Sequence, residues 1–394
     1  MVSKITLGTL NISEQGKKYV NDVLNKNRLS AGEYTAAFEY QFSKLHGCKH
    51  GIFMNSGTSA LQVALAALKE VHGYQDGDEV LVPATTFIAT SNVVIQNNLT
   101  PVFVDVDPFT YNMKPVDLAA KITPRSRCII PVHLFGLPAD MQAIMEIAKD
   151  KKLQVIEDSC ETMFASQYGQ PVGSFGDLAC FSTYVAHLIV GGVGGLVTTN
   201  DDKLAAICRS LMAHGRDSIY TNIDQDDSDD NALRRQMVER RYRFERVGFS
   251  YRATELEAAI ALSELERWEQ NIKTRRNNAL WLSCLLCDLP QLRLPHIPPG
   301  SDHSFMMYPM VMTRAGDRDE LLMYLESRGI ETRYMFPLLS QPIYQKLFPG
   351  LDDTCPVAKA LASRGFFIGM HQDLTISDMA YISIVIHKYY EEHQ

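Results

Sequence analysis

Between about residues 50 and 200, short apolar runs alternate with longer stretches whose apolar positions recur at helical spacing. Gly51–Met54, Glu79–Pro83, Pro101–Asp105, Cys128–His133 and Leu153–Glu157 predict strands. Gly57–Val71, Phe87–Asn97 and segments near 116–121 and 139–150 predict the helices between them. Such alternation predicts a mostly parallel sheet with helices on both faces. Ligands of these sheets lie beyond the carboxyl ends of the strands. The loops after residues 54, 83, 105, 133 and 157 are therefore the places to look for chemistry.

The pattern then changes. The acidic run Asp224–Asp230, followed by Arg234, Arg235, Arg240, Arg241, Arg243 and Arg246, predicts a solvated loop and a charged helix face. A subunit-contacting or substrate-facing excursion is the alternative. One long helix is predicted from about Arg252 to Asp288, with Ala258, Ala259, Ala261, Leu262 and Leu265 on its apolar stripe. Pro295, Pro298, Pro299 and Gly300 mark a boundary. Beyond it a strand over Met306–Met312, a helix at 317–328 and a last helix near 376–391 predict a small α+β domain. The expected division is a large domain, 1–250, then the connecting helix and small domain, 251–394.

Composition adds mainly exclusions. With 394 residues, 46% hydrophobic and 21% charged, the chain can bury a large core and does not read as disordered. A net charge of −8 without a long basic stretch argues against nucleic acid as a partner. No apolar run approaches the roughly 18–20 residues that span a bilayer. The N-terminus lacks the apolar core of a signal peptide, so a cytoplasmic protein is expected. Most of the eight cysteines sit among apolar residues and read as buried free thiols. Cys284 and Cys287 form a C-x-x-C inside the predicted helix, with no second pair and no His at finger spacing, so no metal is expected there.

Four segments carry candidate chemistry. Asn55-Ser56-Gly57-Thr58-Ser59 joins a strand to a helix through small and hydroxyl residues. N–H groups and the helix dipole make such a junction an anion site, although a plain helix cap looks the same. Pro83-Ala84-Thr85-Thr86-Phe87 puts an aromatic just past a strand end, where it can stack on a planar ring or fill the core. Val155-Ile156-Glu157-Asp158-Ser159-Cys160-Glu161 sets acids directly after a buried strand. A carboxylate there can pair with a protonated ring nitrogen or cap a helix. Ser182 is a further phosphate candidate, and His187 follows it by five residues, ahead of Gly191-Gly192-Val193-Gly194-Gly195. A lone His beside Val185 and Leu188 is ordinarily structural.

Taken in order, Ser56-Gly57-Thr58, Pro83–Phe87, Pro131–Gly136, Glu157-Asp158, Phe181-Ser182, Gly194-Gly195, Gly248–Arg252 and Gly329–Arg333 resemble the DegT/DnrJ/EryC1/StrS sugar aminotransferase family. The resemblance runs from Leu29 to the C-terminal helix. It implies an α/β fold of the aspartate aminotransferase type (fold type I), with a large, mostly parallel αβα sandwich domain and a smaller C-terminal α+β domain. It also implies pyridoxal 5′-phosphate (PLP) or its amine form, pyridoxamine 5′-phosphate (PMP), as cofactor, and a homodimer with shared active sites. By the resemblance, Gly57, Thr58 and Ser182 hold the cofactor phosphate, Phe87 stacks on its ring and Asp158 pairs with the ring nitrogen. Glu161 joins the cofactor site, and Ser250, where the family often has Asn, reaches the cofactor phosphate of the neighbouring subunit.

Position 187 departs from the aminotransferases, which place the Schiff-base lysine five residues after the phosphate serine. Here that residue is His187, and no lysine lies between Lys152 and Lys203. Imidazole cannot replace a primary amine as a covalent tether, but it can move a proton at neutral pH. The same replacement marks the 3-dehydratase branch of the family, and Phe366–His371 resembles that branch too. The cysteine constellation of its iron–sulfur members is missing, so the cluster-free type, similar to GDP-4-keto-6-deoxymannose 3-dehydratases, fits better. Val193 stands where the family usually has Glu, and Tyr184-Val185-Ala186 lacks its proline.

The expected function is 3-dehydration of a keto-sugar nucleotide, with His187 as acid and base and an amino donor such as glutamate regenerating PMP. The alternatives are a sugar-nucleotide aminotransferase and a non-catalytic binding protein of the same fold.

Overall fold

The computed structural model describes residues 4–30, 32–217, 231–240, 242–314, 316 and 318–393. The acidic run Asp224–Asp230 and Arg241 lie outside the described residues.

The strands of the first half are β1 (His50–Met54), β2 (Glu79–Pro83), β3 (Thr100–Val104), β4 (Ser126–Ile129), β5 (Gln154–Asp158), a hairpin of β6 (Ser166–Gln167) and β7 (Gln170–Pro171), β8 (Leu178–Ser182) and β9 (Gly195–Thr199). All but the hairpin form one seven-stranded sheet in the order β1-β9-β8-β5-β4-β2-β3. β9 runs antiparallel to both its neighbours; the remaining pairs are parallel. The carboxyl ends of β1, β2, β5 and β8 therefore open on one edge. Strands such as β8, buried at every position, explain the continuous apolar runs: helices cover both faces of the sheet.

Three early helices are α1 (Glu14–Asn25), α2 (Glu33–Leu45) and α3 (Gly57–His72). Ser56 caps α3, its Oγ accepting from Ser59 N at 3.0 Å, and left-handed Gly73 ends it. The N-terminus of α2 is anchored by Glu255, 3% exposed, which accepts from the N–H groups of Gly32, Tyr34 and Thr35. α4 (Ala89–Gln96) begins two residues later than its apolar pattern suggests, which leaves Phe87 in the loop, 56% exposed.

The second half forms an antiparallel sheet of β10 (Leu292–Arg293), β11 (Met307–Met312), β12 (Thr332–Tyr334) and β13 (Gly365–Gly369), in the order β10-β11-β13-β12. Its core includes Leu282, Tyr308, Phe366 and Ile382, and Ile5 from the start of the chain, which pairs with Ile330.

Two local expectations change. The predicted helix over Arg252–Asp288 is two helices, Glu255–Leu265 and Trp268–Leu285. At the break Trp268 stacks on Phe164, ring centroids 4.6 Å apart, and Arg267 reaches Asn11 O; these contacts fix the new direction. The strand predicted over Cys128–His133 stops at Ile129, and a 3-10 turn follows at Leu134–Gly136. His133 is fully buried in that turn, with Nε2 3.0 Å from Glu157 Oε2 and Nδ1 accepting from Ala139 N. Five of the eight thiols are buried, as expected for most of them; Cys160 is half-buried, and Cys284 and Cys287 are exposed. No described helix is long and apolar enough to cross a membrane.

Candidate active site

A cavity of about 840 Å³ lies at the carboxyl edge of the large sheet, closed on its other side by residues of β12 and β13. Gly57, Thr58, Phe87 and Asp158 line it, as do Glu161, Ser182 and His187. Ser250 does not: it is exposed, with its Oγ 3.4 Å from an Arg252 Nη.

At one end, the first turn of α3 meets the end of β8. A Cβ on Gly57 would lie 2.8 Å from both Ser182 Cβ and Cys160 Sγ, so only glycine lets the helix terminus approach Ser182 this closely. The start of α3 and the residues Thr58 and Ser182, both of which carry hydroxyls, then line the same cavity, and a helix N-terminus with hydroxyls beside it suits an anion.

Asp158 ends β5, 4% exposed. Its Oδ2 accepts from Thr90 Oγ1 at 2.7 Å and its Oδ1 from Cys160 N at 3.2 Å. Thr90 is held in turn by Thr86, 2.8 Å away. Burial pushes the Asp158 carboxyl up, only partly offset by these donors. Among the described residues no cation stands within ion-pair distance of it. A buried carboxylate held by neutral donors beside an open cavity fits the protonated ring nitrogen of PLP, and the Gly57–Ser182 cradle fits its phosphate. Phe87 lines the same space, its ring 6.3 Å from that of Phe336.

Glu161 is 7% exposed, and one oxygen accepts from Phe135 N at 3.0 Å. Burial, and then the Asp158 charge, push it up to about 8, so it is largely protonated at neutral pH.

His187 sits on the loop between Ser182 and the glycine turn, its N–H closing on Tyr184 O. Its Nδ1 lies 3.1 Å from Ser182 O. A carbonyl only accepts, so Nδ1 carries the hydrogen and Nε2 the lone pair. Burial, then the Arg275 charge, push the imidazole down to about 3. One ring edge still faces the open cavity, so water relieves part of that penalty; the ring is neutral at neutral pH. Among the described residues no lysine lines the cavity.

The structure adds residues that the sequence did not mark. Thr90 orients Asp158 from one helical turn beyond Thr86; the T-x-x-x-T spacing was the available signal. Leu7 and Gly8 bring the N-terminal segment into the cavity wall, and Tyr334 comes from β12 beside Arg333, the last residue of the Gly329–Arg333 segment.

The model of the DegT/DnrJ/EryC1/StrS aminotransferase family matches residues 10–387. Among curated relatives, a GDP-perosamine synthase of Caulobacter vibrioides is 36% identical over 95% of each chain. A UDP-N-acetyl-3-dehydro-α-D-glucosamine 3-aminotransferase of Acidithiobacillus ferrooxidans is 35% identical over 94% of this chain and 92% of its own. Among solved structures, the Escherichia coli GDP-4-keto-6-deoxy-D-mannose-3-dehydratase with bound hydrated PLP superposes with a TM-score of 0.87 at 26% identity, over 98% of this chain and all of that one. The chain belongs to the DegT/DnrJ/EryC1/StrS aminotransferase family, a family of PLP-dependent enzymes with the aspartate aminotransferase fold.

Proposed function

We propose that this enzyme removes the 3-hydroxyl of a keto-sugar nucleotide, using the cofactor in its amine form and an amino donor such as glutamate. The observation that carries the reading is His187 on the cavity wall, neutral, with Nε2 unprotonated and, among the described residues, no lysine in the lining. The bound cofactor supplies the amine and the electron sink.

The protein's own residues do the rest. Gly57, Thr58 and Ser182 hold the phosphate, Phe87 covers the ring face, and Asp158 keeps the ring nitrogen protonated. Glu161, protonated at neutral pH, can donate a hydrogen bond into the same site. These contacts fix the cofactor without a covalent tether. His187 Nε2 is the atom that takes up the proton and returns it as the hydroxyl leaves. Each turnover then consumes one amino donor and releases one ammonia. The proposed assembly is a homodimer, in which exposed Ser250 reaches the partner's cofactor.

Transamination is the second reading, and the comparisons favour it over dehydration: the curated relatives above are a perosamine synthase and a 3-aminotransferase. In support of dehydration stand His187 and the structural likeness to a 3-dehydratase. Supplying GDP- and UDP-linked keto sugars with PLP and glutamate separates the two. Dehydration gives ammonia and a deoxy keto sugar; an amino sugar without ammonia release establishes transamination instead.

A further inference from the structure

A second cavity, of about 280 Å³, lies between the antiparallel sheet and the helix Pro356–Arg364. Asp105, just past the end of β3, ties that helix down: its two carboxylate oxygens accept from Val357 N and Ala358 N, each at 2.9 Å. Pro108, three residues further on, lines the cavity on that side. Val311, Met312, Val357, Ala360 and Leu361 make the walls apolar.

Two guanidiniums, Arg293 and Arg364, line it too, and the lining holds no carboxylate among the described residues. Strand pairing brings them together. Arg293 of β10 faces Val311 of β11, Val311 faces Gly365 of β13, and Arg364 precedes that glycine. Neighbouring strands lie about 4.8 Å apart, so the two arginines start about 10 Å from each other, a span that their long side chains can close on one small group. Arg293 is half-buried over the rings of Phe109 and Tyr111, 5.2 and 5.9 Å from their centroids. Its Nε is buried without a hydrogen-bond partner, and among the described residues neither arginine makes an ion pair. Buried donors are ordinarily satisfied, and buried charge is ordinarily paired.

We propose that this cavity is a second ligand site, separate from the cofactor cavity, which takes a small phosphate monoester. Charge selects the head group. Two uncompensated guanidiniums match a phosphate monoester, which carries close to two negative charges at neutral pH, whereas a carboxylate leaves one cation unpaired. The walls select the rest: the volume admits only a compact body, and Val311, Met312 and Leu361 suit an apolar one. Both cations come from one chain. The cavity lies at β3, one edge of the large sheet, while the segment Ser250–Arg252, expected to meet a partner subunit, bridges to β1 at the other edge.

The test uses cofactor-saturated enzyme in phosphate-free buffer, so that the Gly57–Ser182 cradle is filled, with phenyl phosphate, inorganic phosphate and benzoate as probes in calorimetric titrations. Wild type should bind phenyl phosphate more tightly than inorganic phosphate, and more tightly than benzoate by about tenfold or more. Arg293→Gln and Arg364→Gln should each weaken phenyl phosphate by about 10- to 100-fold, as expected for losing a charge-assisted contact. Arg293→Lys should recover part of that loss. Ala360→Leu fills the cavity and keeps both charges, so it should weaken phenyl phosphate more than inorganic phosphate. Cofactor absorbance should be the same in every variant. A wild type that binds no phenyl phosphate at millimolar concentration would overturn the proposal. So would variants that bind it as wild type does, which would place the ligand in the cofactor cavity. Equal affinity for benzoate and phenyl phosphate would overturn the assignment of the head group.

Discussion

The ring of His187 donates through Nδ1 to the carbonyl oxygen of Ser182, 3.1 Å away, so one residue sets both the cradle and the base. The Ser182 side chain faces Gly57 while its main chain fixes the tautomer that leaves Nε2 free. Replacing His187 by Asn should lower turnover by roughly 10²–10⁴-fold and leave cofactor affinity nearly unchanged. Because burial, and then the Arg275 charge, hold the imidazole below its ordinary value, protonation silences it only at pH below that of a free histidine. The acid limb of kcat should therefore lie well below pH 6.5. A limb near 6.5 in the wild type would show a ring exposed to water rather than packed in the wall.

Asp158→Asn keeps the shape of the side chain and its bonds near Thr90 and Cys160 but removes the charge. Cofactor affinity and turnover should both fall, by about tenfold or more. The fold should not suffer, because burial disfavours that charge in the protein alone. Titration with PLP and thermal unfolding measure the two effects separately. Unaltered affinity would reduce Asp158 to a structural acceptor.

Much of this site was legible because its parts are local. Ser56–Thr58 and Asp158 sit at strand ends, where a short apolar run meets a helix start, and the five-residue spacing from Ser182 pointed to His187. Leu7 and Gly8 carried no such signal, since the N-terminal segment reaches the cavity only through tertiary packing. The break at Glu266–Arg267 contains neither Pro nor Gly; it reflects Trp268 packing on Phe164, a residue about a hundred positions away. Cys284 and Cys287 are exposed although Leu285 and Leu286 lie between them, because those leucines turn toward the core, Leu286 being fully buried.

Gly8 shows what that packing does. A Cβ there would lie 2.8 Å from Ala186 Cα and from Val185 O, main-chain atoms just ahead of His187. Gly8→Ala must push this loop aside, and a displacement of about 1 Å can cost on the order of 10²-fold in rate. We expect turnover to fall by that order while PLP affinity stays close to wild type, since Gly57, Asp158 and Ser182 are untouched. Parallel losses in both would mean that the whole cavity had collapsed.

Stability should be lost early in acid. His46, His303 and His371 are buried, and burial pushes them down to about 4, 3 and 4. Between those values and about 6.5 the unfolded chain binds protons that the folded chain refuses. The stabilisation is complete above 6.5 and declines as pH falls, by up to about 1.4 kcal/mol per pH unit for each ring. Urea midpoints recorded from pH 7 to 4 check this, and His46→Phe should flatten the slope by one such increment. Midpoints that hold steady down to pH 4 would contradict it.

The central claim is that the cofactor is held by Gly57, Asp158 and Ser182, with His187 rather than an amine beside it. Borohydride reduction of the PLP-loaded enzyme, followed by peptide mass mapping, tests this most directly. The expected result is no reduced PLP–lysine adduct in the cavity and full release of cofactor on denaturation. A stoichiometric adduct on one lysine would contradict it.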